Sequence, residues 1–329
     1  MMRLGPIIKR DIEIKSRGMS LPVGMTVINA VLFAAALAMS FGEILSAKTS
    51  YSLNYAAFLD IFIIIVMFDY ILMLFCAPIM TAGSISGERE RGTFDLLLTT
   101  RLSAADIIIE KLVSALISMG TIIASGLPAI LVPLMFGGVR IQSAVFLSLL
   151  FMAGVFEILS LGMLAGSIGS SSVRSITAAY AGAACIVAGP LLIAAAAAAF
   201  SRDGGNGAVY LLTVDPLFTV FSSVLRMTGR TQLLNELFLL LKASPDAGLI
   251  RHSVLIGTLI QVAAGFGLIM LSIIYTMPRS GGFLSGRKSD RAKSNDRAKS
   301  GDRVKSSDRA KSSDRVKNSD RPDNNRSQK

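Results

Sequence analysis

Long apolar runs separated by short polar segments dominate the chain between residues 21 and 277. A helix needs about 20 consecutive apolar residues to cross the hydrocarbon core of a bilayer. Six runs meet that length: Leu21–Phe41, Phe58–Ala82, Leu112–Phe136, Ser143–Ile168, Ile176–Phe200 and Ser253–Met277. The pattern predicts an all-α polytopic membrane protein, with a six-helix domain over residues 21–278.

Composition and charge agree with this class and suggest an orientation. Hydrophobic side chains make up 52% of the 329 residues, more than in an ordinary soluble domain. If the spans alternate, 26 of the 33 Lys and Arg residues fall on the side that holds both termini. The positive-inside rule therefore places both termini, and the loop over residues 83–111, in the cytoplasm of a cell-membrane protein.

The two ends of the chain differ from the apolar domain. Residues 1–20 predict an amphipathic helix on the membrane surface, or alternatively a disordered basic leader. Residues 279–329 repeat a six-residue unit that begins at Asp290 and lacks large apolar side chains, so we expect a disordered basic tail. The tail could approach anionic lipid head groups, whereas nucleic-acid binding is unlikely because the repeats lack aromatic residues.

The outer segment over residues 201–252 predicts two short amphipathic helices, over Pro216–Met227 and Thr231–Lys242. Residues 207–225 are apolar enough to suggest an additional span. However, Asp215 and Pro216 lie at the middle of that stretch, where a charge and a missing backbone donor are both costly.

Acidic residues within the spans are candidate functional groups, because ionisable side chains at that depth are costly. Asp69 lies in the second span and Glu157 in the fourth. They could line a substrate path or relay protons, or they could be buried acids that neighbouring hydroxyl groups satisfy. In the fourth span, Gly162 and Gly166 have the GxxxG spacing that permits close helix contact.

Motifs for soluble catalysis do not occur in the sequence. There is no P-loop, dinucleotide fingerprint, HExxH or G-x-S-x-G pattern, and His252 has no Cys or His partner at the spacing of a zinc site. We therefore expect a chain that is not an enzyme and holds no cofactor or metal. Any use of ATP and Mg²⁺ would belong to a partner subunit.

The loop over residues 83–111 has the densest charge before the tail. Its pattern predicts a short helix over residues 88–98, supported by i,i+3 and i,i+4 charge pairs. A second helix is predicted to begin at Ser103, because Ser103 and Asp106 resemble a capping box. Phe94, Leu97 and Leu98 would be available to dock on another surface.

The string from Gly83 to Thr100, GSISGERERGTFDLLLTT, resembles the cytoplasmic loop of ABC type-2 transporter permeases. The resemblance implies a coupling helix that docks on a separate P-loop ATP-binding subunit, in a dimer with a second permease copy or paralogue. It also implies docking and backbone roles for particular residues: polar contacts from Glu88, Arg89, Glu90 and Arg91, apolar contacts from Phe94, Leu97 and Leu98, and backbone shape from Gly87 and Gly92.

The resemblance has limits. Many members of the family have Asn-Pro where this chain has Asp215-Pro216, and the repeat tail is not a family feature. The leading hypothesis is the permease subunit of an ABC transporter that exports an unidentified substrate. The alternatives are a proton-coupled secondary transporter that uses Asp69 and Glu157, and a membrane scaffold whose basic tail recruits partners.

Overall fold

The computed structural model describes residues 20–50, 55–93, 103–137, 140–169, 171–200, 210–241 and 247–276. Six of its helices are long and apolar enough to cross a membrane: α1 (Ser20–Ser50), α2 (Tyr55–Glu90), α3 (Ala104–Gly137), α4 (Ile141–Ile168), α5 (Ser172–Phe200) and α8 (Ala247–Thr276). The predicted all-α polytopic fold is confirmed. The surface helix predicted over residues 1–20, apart from Ser20, and the tail over residues 279–329 lie outside the described residues.

Helix α4 lies at the centre of the bundle and packs against α2, α3, α5 and α8. Its Val155, Ile158 and Leu159 are fully buried. The Gly162–Gly166 face lies against α2, where a Cβ on Gly166 would come 2.7 Å from the carbonyl oxygen of Ala82. The absence of side chains at these glycines therefore sets how closely α2 and α4 approach.

Apolar side chains on the outer helices are exposed, as expected for surfaces that face lipid or another subunit. Examples are Val31 on α1, Leu192 on α5 and Leu259 on α8. Helix α1 contacts mainly α3 and α2, so much of its surface remains available to the bilayer or to a second chain.

Two short helices lie between α5 and α8, after a 3₁₀ turn over Tyr210–Thr213. They are α6 (Pro216–Met227) and α7 (Thr231–Leu240), separated by a turn in which Gly229 has a φ of 72°. This confirms the two predicted helices. Asp215 caps α6 and Pro216 is its first residue, so the helix has only 12 residues. That is too few to cross a bilayer.

Candidate functional site

Helix α2 continues past its apolar run into the charged loop. Its extension buries Ile85 against α3, whose early residues Ile107 and Ile108 are also buried. The prediction of a separate helix beginning at Glu88 was wrong, because Glu88 to Glu90 form the last turn of α2. Local sequence alone indicates that a new helix starts here. Packing against α3 and α4 instead stabilises this polar turn as part of α2.

A glycine turn ends α2. Gly92 has a φ of 68°, the left-handed conformation that glycine adopts most readily. The amide of Gly92 donates to the carbonyl of Arg89, and the amide of Thr93 donates to that of Glu88, both at 3.0 Å. This is the Schellman arrangement that closes many helices, so Gly92 is a stop signal for α2.

Glu88 forms an ion pair with Lys111 of α3. The Lys111 Nζ lies 2.8 Å from Glu88 Oε1, and the two side chains are 4% and 23% exposed. Lys111 also donates a 2.8 Å hydrogen bond to the carbonyl of Ser84. An ammonium group placed among apolar side chains is thereby neutralised, and the last turns of α2 are fixed to α3.

Arg89 and Glu90 connect α2 to the junction between α4 and α5. The Arg89 guanidinium donates to the carbonyl of Ser167 in the last turn of α4, while the Glu90 carboxylate accepts hydrogen bonds from the amide and hydroxyl of Ser172 at 3.2 and 2.7 Å. Ser172 is the first residue of α5. Each charge therefore complements the helix end that it contacts, positive at a C-terminus and negative at an N-terminus.

We call this group the polar clasp: Glu88, Arg89 and Glu90 of α2 with Lys111, Ser167 and Ser172. It attaches one turn of helix to α3, α4 and α5. The sequence analysis missed Lys111, Ser167 and Ser172 as participants. Lys111 could have been noticed, since it is the last charged residue before a long apolar run, but two serines among many carry no such signal.

The remaining predicted docking residues have different positions. The Arg91 side chain is exposed in the turn after α2, and Gly87 lies inside α2, where its Cα faces the Ser172 hydroxyl. Phe94, Leu97 and Leu98 lie outside the described residues. Arg91 is therefore an exposed charge just after the end of α2. It precedes residues 94–98, whose docking role stays a prediction.

The predicted capping box at the start of α3 is confirmed. The Ser103 amide and hydroxyl donate to the Asp106 carboxylate at 3.0 and 2.7 Å, and the Asp106 amide donates to the Ser103 hydroxyl at 3.2 Å. Such reciprocal bonds satisfy amides that a helix start leaves without partners. Ser103 is thus anchored to the first turn of α3, eight positions before Lys111.

Asp69 and Glu157, the two predicted intramembrane sites, face different surroundings. Asp69 lies between α1 and α3, beside Asn29 and Gly126. Glu157 lies within electrostatic reach of Tyr70 and Asp215. Each of the two acids is 3% exposed and has one carboxylate oxygen without a hydrogen-bond partner in the structure.

Asp215 links the outer helices to this interior. Its Oδ1 accepts a 2.8 Å hydrogen bond from the amide of Leu217, which caps α6. Burial raises the pKa of the Asp215 carboxyl from 3.8 to about 7. A second acid, Asp60, pairs at 2.8 Å with Arg230, but both side chains are largely exposed, so this contact lies at the surface.

Among the residues that the structure describes, no group of three or more His, Cys, Asp or Glu side chains is arranged to hold an ion. What the loop can do is mechanical: a charged turn held to three helices can transmit a displacement from outside the bundle to its interior.

The six spans, the extended α2 and the clasped turn define a polytopic helical membrane protein with a polar connection at one end of the bundle. The sequence model of the ABC-2 family transporter proteins matches residues 24–245, and the chain belongs to that family. A search of curated proteins found no match. The matched range includes α2, the polar clasp, α6 and α7.

Family membership defines the role in general terms. The chain is a multi-pass membrane permease of an ABC transporter. Such permeases work with an ATP-binding subunit, and they form the membrane part of the transporter rather than its catalyst. Substrate, direction of transport and the surface that meets the partner are finer questions.

Proposed function

We propose that this chain is the permease subunit of an ABC exporter, driven by a separate ATP-binding subunit that docks on the loop over residues 83–111. The polar clasp is the observation that carries the proposal. A subunit that pushes on this loop would move α2, and through α2 also α3 and the α4–α5 junction, because Glu88, Arg89 and Glu90 attach to all three.

The division of labour in the loop follows from the side-chain contacts to other helices. Glu88, Arg89 and Glu90 hold the end of α2 to its own bundle, so their main role is positioning. Arg91 is exposed and available for an acidic group of the ATP-binding subunit. Phe94, Leu97 and Leu98 supply the apolar part of the docking surface, as the family resemblance implies.

Orientation and assembly complete the proposal. Both termini and the loop are in the cytoplasm of the cell membrane, as the distribution of Lys and Arg indicates. Two permease chains, identical or related, associate through exposed apolar helices such as α1 and α5, whose faces carry Val31 and Leu192. ATP and Mg²⁺ are bound by the partner subunit.

Charge exchange tests the roles of Glu88 and Arg91. The permease is coexpressed with its ATP-binding subunit, and co-purification and transport-linked ATP hydrolysis are measured in proteoliposomes. Glu88→Lys should lower ATP-linked activity at least tenfold, since it places two cations together. The exchange Glu88→Lys with Lys111→Glu should restore activity, because the pair is internal. Arg91→Glu should weaken co-purification itself.

Three results would contradict the proposal. One is a purified permease that associates with no ATP-binding subunit. Another is an Arg91→Glu permease that co-purifies with the ATP-binding subunit as well as the unmodified protein does. The third is a Glu88→Lys, Lys111→Glu double variant that remains as inactive as Glu88→Lys, which would mean that Glu88 contacts the partner. Transport that stops with a protonophore but continues after ATP depletion would favour the secondary transporter that uses Asp69 and Glu157.

A further inference from the structure

Helix α7 has more apolar surface than the described residues cover. Of its 10 residues, Leu234 and Phe238 are buried, and the Phe238 ring meets that of Phe218 on α6 with centroids 6.3 Å apart. In contrast, Leu233 is 42% exposed and Leu240 is 78% exposed. Neighbouring α6 differs, because most of its 12 residues are buried. Something other than α6 therefore covers the rest of the apolar surface of α7.

The exposed leucines continue one side of the helix. With 3.6 residues per turn, Leu233, Leu237 and Leu240 lie on adjoining positions, next to the buried pair of Leu234 and Phe238. The other side is exposed and mainly polar. It carries Thr231, Gln232, Asn235 and Glu236, with Leu239 as the apolar residue among them. This division into an apolar and a polar side is typical of helices that lie at a membrane surface.

The start of α7 lies at the level of a membrane surface. The guanidinium of Arg230, which immediately precedes α7, donates to the Asp60 carboxylate and to the carbonyl of Ala56 at 2.8 and 3.1 Å. Along α2, Asp60 is about 28 residues from Glu88 of the polar clasp, a rise of roughly 42 Å. Because the hydrocarbon core is about 30 Å thick, Asp60 and Arg230 lie in the head-group layer opposite the clasp.

Exposed apolar surface of a span begins next to this level. Ile64 and Phe68 follow Asp60 at i+4 and i+8 on the same side of α2, and they are 55% and 52% exposed. Leu233 is only three positions after Arg230, whose side chain contacts Asp60. The exposed apolar surface of α7 thus starts close to that of a membrane-crossing helix.

We infer that α7 lies in the head-group layer of the bilayer, on the side opposite the polar clasp, and places Leu233 and Leu240 among the lipid acyl chains. Helices of this kind bury their apolar side to a depth of about 5–10 Å. Asn235 and its polar neighbours then face the head groups and water. Lipid is the occupant because the helix starts at the membrane surface and its uncovered leucines adjoin a lipid-crossing span.

Single tryptophans provide the test, since the chain contains none. Full-length protein with Leu233→Trp or Leu240→Trp is placed in phosphatidylcholine nanodiscs without any ATP-binding subunit. Fluorescence quenching is measured with phosphatidylcholine brominated on its acyl chains and, separately, with acrylamide in the water. We expect brominated lipid to quench both tryptophans, and bromines near the head group to quench more strongly than bromines near the chain ends.

Two positions on the same helix are the matched controls. Asn235→Trp lies on the polar side and should be quenched mainly by acrylamide. Phe238→Trp replaces a side chain that is 6% exposed and should be quenched weakly by both agents. Quenching of Leu240→Trp by brominated lipid should exceed that of either control at least threefold. Helical circular dichroism equal to that of the unmodified protein shows that a variant is folded, and Leu233 and Leu240 give independent readings.

Each other pattern would overturn the inference. Quenching of Leu233→Trp and Leu240→Trp by acrylamide alone would mean that water covers these leucines. Weak quenching by both agents would mean that protein covers them, and recovery of lipid quenching at high dilution of the protein in lipid would identify a second copy. Equal lipid quenching of Asn235→Trp would mean that lipid surrounds α7. None of these results depends on whether the 83–111 loop docks an ATP-binding subunit.

Discussion

Breaking the ion pair between Glu88 and Lys111 should destabilise the bundle because the cation is buried. Removing one partner of a fully buried pair costs about 3–5 kcal/mol. Lys111→Met leaves the Glu88 carboxylate, which is 23% exposed and can still reach water, so we expect a loss of about 2 kcal/mol. Glu88→Gln leaves the ammonium, which is 4% exposed, and should cost about 3 kcal/mol.

A double-mutant cycle isolates the interaction. The double variant, with Glu88→Gln and Lys111→Met, contains no unpaired charge and should lose about 2 kcal/mol, less than Glu88→Gln alone and less than the sum of the single losses, which gives a coupling of about 3 kcal/mol. The free energy of unfolding can be followed by circular dichroism during SDS titration in mixed micelles, because the folded chain is largely helical.

The exposed pair of Asp60 and Arg230 is the matched control. Its nitrogen–oxygen distance is also 2.8 Å, but the side chains are 50% and 36% exposed, so its coupling should be below about 1 kcal/mol. If the sum of the two single losses at Glu88 and Lys111 equals the loss of the double variant to within about 0.5 kcal/mol, burial does not strengthen the pair. The clasp is then not held as we describe.

Two further predictions concern packing and pH. Gly166→Ala should destabilise the bundle by about 1–3 kcal/mol, because the new methyl group meets the Ala82 backbone at 2.7 Å; the same SDS titration should show almost no loss for Gly267→Ala. Asp215 has a pKa of about 7 when folded and 3.8 ordinarily, so the folded state binds the proton more tightly and stability should fall as pH rises from 4 through 7. Asp215→Asn keeps an oxygen for the amide of Leu217 and should remove the part of that fall that belongs to Asp215, worth up to about 4 kcal/mol. An unchanged pH profile would contradict the burial of this carboxyl.

Local sequence was sufficient wherever a short-range rule decides the structure. The apolar runs predicted six spans, since each must be long enough for a bilayer. The Ser103–Asp106 box predicted the start of α3, since both partners lie within one helical turn. The amphipathic stretch over Pro216–Met227 predicted α6, and the structure shows that Asp215 is its N-cap and Pro216 its first residue.

Tertiary structure decided the contacts that give the charged loop its role. The sequence placed Glu88 in a new helix, whereas packing against α3 and α4 extends α2 to Glu90. The family resemblance implied docking roles for Glu88, Arg89 and Glu90, which stay a prediction, whereas their contacts with Lys111, Ser167 and Ser172 appear only in the packed bundle. The sequence marked Asp69 as an isolated acid, whereas the bundle brings Asn29 and Gly126 beside it.

The physical reason is the range of the forces involved. Helix formation and membrane crossing depend on neighbouring residues and on the solvent, so composition and periodicity carry that information. Whether a charged residue such as Arg89 meets water, a partner protein or the end of another helix depends on residues about 80 positions away. Only the packed arrangement of α2 to α5 brings such groups together, and it therefore determines which charged side chains contact other helices of the bundle.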